Sequence, residues 1–154
     1  MGAIVAILLF LSAYLLVNAR SSTLVYPMFG DAVNMDPLEA TDINSWKVMS
    51  QIYEGLMKFR PSSLEVEPCL ASHYEMSDDG LVFTFYLQKN VQFQDGTPFD
   101  ADAVLWNARR GMEKADTSYY ADLVWGNVKE VEKLSRYVVR FTLKEPRADF
   151  LTNL

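Results

Sequence analysis

The chain has 154 residues, a formal net charge of −6 and 50% hydrophobic residues. That length suits about one domain, and an acidic chain is poorly matched to nucleic acid or an anionic membrane surface, both of which demand basic patches. One cysteine and one histidine exclude an internal disulfide and leave little material for nucleophilic or acid–base catalysis.

Residues 3–17 form an apolar run broken only by Ser12, and Val17-Asn18-Ala19 follows with the small residue a signal peptidase reads. The run is shorter than the ~20 residues of a spanning helix. The predicted organisation is a signal peptide over residues 1–19, cleaved near Ala19, and a folded part over residues 20–154. No Lys or Arg precedes the run, so an uncleaved membrane anchor is the alternative. No cysteine follows it, so the lipid-attachment pattern of an exported lipoprotein is missing and the folded part is expected free in a periplasm-like space.

Residues 24–29, Leu-Val-Tyr-Pro-Met-Phe, read as a short strand whose Pro27 places it at an edge or near its end. A loop follows through Asp36-Pro37, where the proline holds the preceding residue extended. A helix is predicted from near Asn44, with Asp42, Asn44 and Ser45 able to cap, Trp46, Met49, Tyr53 and Leu56 at helical spacing, and Gly55 near its end. Residues 64–66 read as a weak strand, and Pro68 as the opening of a short helical turn through Leu70 and Ala71. On such a turn Cys69 and His73 would share a face and offer half a metal site, but no second pair completes tetrahedral ligation. The expectation there is packing, not metal.

Ser77-Asp78-Asp79-Gly80 reads as a turn, and Leu81, Phe83, Phe85 and Leu87 alternate with polar residues as a half-buried strand. Residues 91–93 read as a second strand ending in the turn Asp95-Gly96-Thr97-Pro98. Both acidic turns are read as scaffold that uses Gly for positive φ, so Asp78 and Asp79 are no catalytic dyad. Asp100 caps the best helix, with Ala101, Val104, Leu105, Ala108 and Met112 on one face. Residues 128–143 read as a hairpin turning near Ser135, and a last helix is expected around Ala148.

The order of these motifs resembles family 5 of the extracellular solute-binding proteins of ABC importers, whose members serve dipeptides, oligopeptides, nickel chelates and haem. The matching residues are Met35-Asp36-Pro37, Ile52-Tyr53-Glu54-Gly55-Leu56, Val66-Glu67-Pro68 with Leu70-Ala71, Ser77-Asp78-Asp79-Gly80, Phe83-Thr84-Phe85 with Leu87, the stretch Val91-Gln92-Phe93-Gln94-Asp95-Gly96-Thr97-Pro98, and residues 139–146. Two positions depart from the family pattern. Ala103 stands where relatives usually carry the second acid of a capping box, and His73 stands where an aromatic residue is usual.

The resemblance implies a mixed α/β fold, a lobe of the periplasmic-binding-protein type II kind, here the N-terminal portion of a two-lobed clamshell with the opposing lobe absent. It implies a monomeric, non-catalytic binding subunit without a cofactor, which captures a peptide or related small solute and hands it to ABC permease subunits. By the same resemblance Thr41, Asp42 and Ile43, just past Asp36-Pro37, face the ligand, as does Tyr119 in the loop after the main helix. An extended peptide offers unpaired backbone donors and acceptors that suit polar groups beside an aromatic flank. The competing readings are plain helix capping for Asp42 and cover of a hydrophobic edge for Tyr119 with Tyr120. At the level of the whole protein the alternatives are a membrane-tethered receptor or sensor, a non-functional truncated remnant, or a nickel chelate or haem as the ligand.

Overall fold

Alternation of apolar and polar side chains organises the larger part of the molecule. The computed structural model describes residues 24–154; the predicted signal segment 1–19 and its cleavage near Ala19 lie outside the described residues. In chain order the described elements are α1 (Ile43–Ile52), β1 (Met57–Phe59), β2 (Val66–Pro68), β3 (Ala71–Met76), β4 (Val82–Leu87), α2 (Ala101–Lys114), α3 (Tyr119–Trp125), β5 (Val128–Ser135) and β6 (Val138–Leu143). A 3-10 helix at Phe150–Asn153 follows. Strands β3, β4, β6 and β5 lie side by side in that order as an antiparallel sheet, and β1 and β2 form a separate two-stranded ribbon.

In β4 and β6 every second residue is buried, as the period of two in a strand requires. Their register sets Phe83 opposite Phe141 and Phe85 opposite Val139, so one face of the sheet is a continuous aromatic and aliphatic surface. Phe85 meets Phe141 edge-on at 5.4 Å, and Phe150 of the 3-10 helix lies 4.8 Å from Phe83. Each such side chain contributes about 1.5–3 kcal/mol when fully buried. The edge strand β5 carries Lys129, Glu130, Glu132 and Lys133, charges that discourage pairing with another chain.

Helix α2 packs with β5, β6 and α3, and it buries Ala101, Val104, Ala108 and Gly111, a stripe at spacings of three and four. Asp100 caps it as expected, accepting from the Asp102 amide at 3.1 Å. Gly111 is required by a close approach: a Cβ there would sit 2.6 Å from Cε2 of Trp125 and nearer still to its Cδ1 and Nε1. The α2–α3 spacing therefore depends on the missing side chain. The two acidic turns are scaffold, also as expected. Gly80 and Gly96 take φ values of 68° and 84°, while Asp79 and Asp95 accept from the amides of Leu81 and Thr97.

Several expectations are corrected. Residues 24–28 form no strand, and Leu24, Val25 and Phe29 are 89%, 81% and 106% exposed. A strand is held by pairing, and among the described residues none lies beside this segment. The helical turn expected at Pro68 is instead the end of β2 and the start of β3, where Ala71 pairs with Leu87. Ladder pairing has overridden a local turn signal. The run 91–93 reduces to a single bridge from Gln92 to Pro98. Helix α1 stops at Ile52 with Tyr53 extended, two residues before Gly55. Gly55 instead admits the carbonyls of Leu154 and Met57 to within a distance no Cβ tolerates. The last helix is one 3-10 turn beginning at Phe150.

Candidate functional site

The loop that enters α1 is built on side-chain hydrogen bonds. Asn34 Oδ1 accepts from the Asp36 amide at 2.9 Å, and Asp36 Oδ1 accepts from the Leu38 amide at 3.1 Å. The Asp36 carbonyl takes the amides of Glu39 and Ala40 at 3.0 and 2.9 Å. Pro37, with its φ preset and no N–H to satisfy, fits within this turn. Asp42 then caps α1: its Oδ1 accepts from the Ser45 amide at 2.9 Å and its Oδ2 from the Ser45 hydroxyl at 2.6 Å. That hydroxyl, wholly buried, also accepts from the amides of Val33 and Asn34 at 2.9 and 3.1 Å. One serine thereby ties residues 33–34 of the loop to the helix start.

A second set of contacts fastens this loop to α2 and α3. Arg110 and Lys114, one turn apart on α2, pair with Asp36 and Glu39 respectively. The Ser118 hydroxyl, which caps α3, donates to the carbonyl of Leu38. Trp46 on α1 donates from Nε1 to the Ala40 carbonyl at 3.1 Å, and its ring lies 5.2 Å from that of Tyr120. Tyr119 stands edge-on to Tyr120 at 5.3 Å.

These contacts set the local electrostatics. The hydrogen bond from Arg110 holds the Asp36 carboxyl below its ordinary value of 3.8 against the opposing effect of burial. Lys114 does the same for Glu39, and the Ser45 hydroxyl and amide for Asp42. Arg110 is shifted upward by the same Asp36 contact. All four groups are charged near neutrality and are already paired or capped.

Thr41, Asp42 and Ile43 lie together at the start of α1. Thr41 is exposed, Ile43 is 67% exposed, and Asp42 is half-buried with both oxygens engaged by Ser45. Tyr119 is not in a loop, as the sequence suggested, but is the first residue of α3, 73% exposed. The Ser118 cap accounts for this, because a serine at that place satisfies an amide of the first turn. The structure joins the elements carrying these residues through the Trp46–Tyr120 contact. Trp46, Tyr120, Arg110 and Lys114 were missed as members of this region. The spacing of Arg110 and Lys114 was visible in the sequence, but nothing there named their partners.

The chemistry on offer is an exposed aliphatic side chain, an exposed phenol and a threonine hydroxyl beside a rigid loop, which suits contact and hydrogen bonding to a ligand. Cys69 and His73 lie elsewhere and share no helical face. Cys69 sits between β2 and β3 with Sγ 3.9 Å from Glu54, its thiol pushed up chiefly by burial. His73 lies flat against the Tyr86 ring, 4.2 Å away. Among the described residues no group of three or more His, Cys, Asp or Glu is placed to hold a metal ion.

The profile of the bacterial extracellular solute-binding proteins, family 5 Middle, matches residues 65–154. The chain belongs to this family. Among family 5 relatives, the glutathione-binding protein GsiB of Escherichia coli O1:K1 is 34% identical over 120 residues, covering 78% of this chain and 23% of that protein. Heme-binding protein A of Haemophilus influenzae is 30% identical over 154 residues, covering 89% of this chain and 28% of its own. Among solved structures, the ABC transporter-associated periplasmic binding protein DppA of Helicobacter pylori, in complex with the peptide STSA, superposes with a TM-score of 0.70. It is 35% identical, and the match covers 80% of this chain and 27% of DppA. The fold is thus the mixed α/β fold of family 5 periplasmic binding proteins, and the chain spans about a quarter of the length of these relatives.

Proposed function

We propose that this chain is part of the substrate-binding component of an ABC importer and supplies one wall of a cleft that captures a peptide or related small solute. The observation that carries the reading is membership of family 5, joined to relatives named for binding glutathione, heme and the peptide STSA. Thr41, Ile43 and Tyr119 are its ligand-facing residues, with Asp42 shaping the loop as a cap. An exposed phenol and an exposed isoleucine are suited to the flank of an extended peptide. The same reading makes the protein a carrier and not an enzyme, since its relatives are named as binding proteins and none of the candidate residues forms a nucleophile–base pair.

Residues 1–19 act in this reading as a signal peptide, residues 20–154 as the N-terminal part of the binding domain, and the mature protein works as a monomer in the periplasm beside its permease.

Calorimetry of the exported protein against the peptide Ser-Thr-Ser-Ala, glutathione and heme tests the proposal. Saturable heat with the peptide or glutathione, weakened by Tyr119→Ala and Ile43→Ala, is expected. Heat with heme alone would move the ligand class, and no heat with any of the three would overturn the reading. Sequencing the mature N-terminus tests export: a start after Ala19 is expected, and an intact Met1 would establish the anchored alternative.

A further inference from the structure

The candidate ligand-facing residues sit on elements far apart in sequence; beside the direct Trp46–Tyr120 contact, one short turn ties them together by polar contacts. Residues 36–40 touch α2 by two ion pairs, Asp36 with Arg110 and Glu39 with Lys114, and touch α3 by the Ser118–Leu38 hydrogen bond. The side chains of Arg110 and Asp36 are only 29% and 23% exposed, so their pairing is shielded more than that of an ordinary surface pair. Asp36 is also the residue on which the turn is built. One of its oxygens holds the Leu38 amide, the other meets Arg110, and its carbonyl takes the amides of Glu39 and Ala40. Ala40 in turn holds the Trp46 indole, and Trp46 packs on Tyr120. Ser118 passes the connection to α3 by donating to Leu38 while its oxygen lies 3.5 Å from the Ala121 amide.

We infer that Arg110 is a positioning residue, which through Asp36 fixes the spacing between the Thr41–Ile43 loop and Tyr119 before any ligand arrives. Neither Arg110 nor Asp36 is exposed in the manner of Ile43 or Tyr119, and both oxygens of Asp36 are already engaged, one by the Leu38 amide and one by Arg110. Their effect on a ligand is therefore indirect. When the elements on either side of a site are free to drift, the apparent affinity falls by the fraction of molecules that hold the competent spacing. The clamp keeps that fraction near one. This inference rests on the placement of the ligand-facing residues proposed above, so its test carries a readout that needs no ligand.

The experiment compares the exported protein with Arg110→Gln, Asp36→Asn and the double variant. Amide hydrogen exchange without ligand is expected to rise together at residues 38–46 and 118–122 in each variant, while the amides of β4 and β6 stay protected. Unchanged exchange, or a rise confined to one of the two segments, would overturn the clamp. Calorimetry with the peptide Ser-Thr-Ser-Ala is expected to show ~10-fold weaker binding, corresponding to a competent fraction near one tenth. The stoichiometry should be unaltered and the double variant no weaker than either single one, because both act through one contact. A fall in stoichiometry at unchanged affinity would mean that Arg110 only keeps molecules folded, and would refute the positioning role. If the parent protein binds no peptide, the ligand reading fails on its own, and the exchange data still decide whether the clamp exists.

Discussion

Replacing Gly111 by alanine tests the packing that places α3, and with it Tyr119. On helix propensity alone the change stabilises α2 by about 1 kcal/mol. Against this, the new Cβ would lie 2.6 Å from Cε2 of Trp125 and closer to two further ring atoms, where carbon atoms prefer about 3.5–4.0 Å. Trp125 has little room to yield, being 6% exposed and packed 6.3 Å from the ring of Phe141. The helices must separate by roughly 1 Å or the indole must leave its rotamer, and overpacking of this kind costs about 1–3 kcal/mol. The strain offsets the propensity, leaving a net loss of up to about 2 kcal/mol. Urea unfolding of the exported protein, following the midpoint at constant slope, measures it. Asn107→Ala, on the exposed side of the same helix, supplies the control and is expected to be neutral or slightly stabilising. If Gly111→Ala were as stable as the parent or more so, the claim that the α2–α3 spacing depends on the missing side chain would be wrong.

Ser45→Ala removes the one buried hydroxyl that accepts from the Val33 and Asn34 amides and donates to Asp42. Buried donors left without a partner cost about 1–3 kcal/mol, so a loss of that size in urea unfolding is expected, with faster amide exchange at residues 33–34. Asp36 makes stability depend on acidity. Its folded value lies below the ordinary 3.8, so its stabilising effect is complete above 3.8 and is lost as the pH falls through the lower folded value. The stability gap between the parent and Asp36→Asn is therefore expected to be flat above 3.8 and to close below it. A gap that widens on acidification would contradict the Arg110 pairing.

What was legible from the sequence depended on period and local chemistry. Phe83, Phe85 and Leu87 alternate with polar neighbours, Val139, Phe141 and Leu143 do the same, and both runs are the central strands of the sheet. The spacing of Ala101, Val104 and Ala108 announced α2, and Asp42 and Asp100 announced the caps of α1 and α2. These features are decided within a few residues, because side-chain direction repeats with the backbone and a cap bonds its own first turn. The family motifs are of this local kind too, which is why their order was enough to place the chain in family 5.

Tertiary structure alone decided the rest. Cys69 and His73 share no face because Ala71 through Met76 pairs with β4 and not with its own preceding turn. The stretch at residues 24–29 has strand composition but, with none of the described strands beside it, stays unpaired and exposed. The candidate site is assembled across 74 residues by Asp36 and Arg110 and across 80 by Leu38 and Ser118. Charge and hydroxyl groups mark no partner at such separations, since which of them meet depends on how α2 and α3 pack, and that packing turns on Gly111 having no side chain against Trp125. The sequence by itself therefore determined β4, β6, α1 and α2, the caps of those two helices and the family, whereas α3 and the distance between the loop at Thr41 and the tyrosine at 119 were set only when the helices closed on one another.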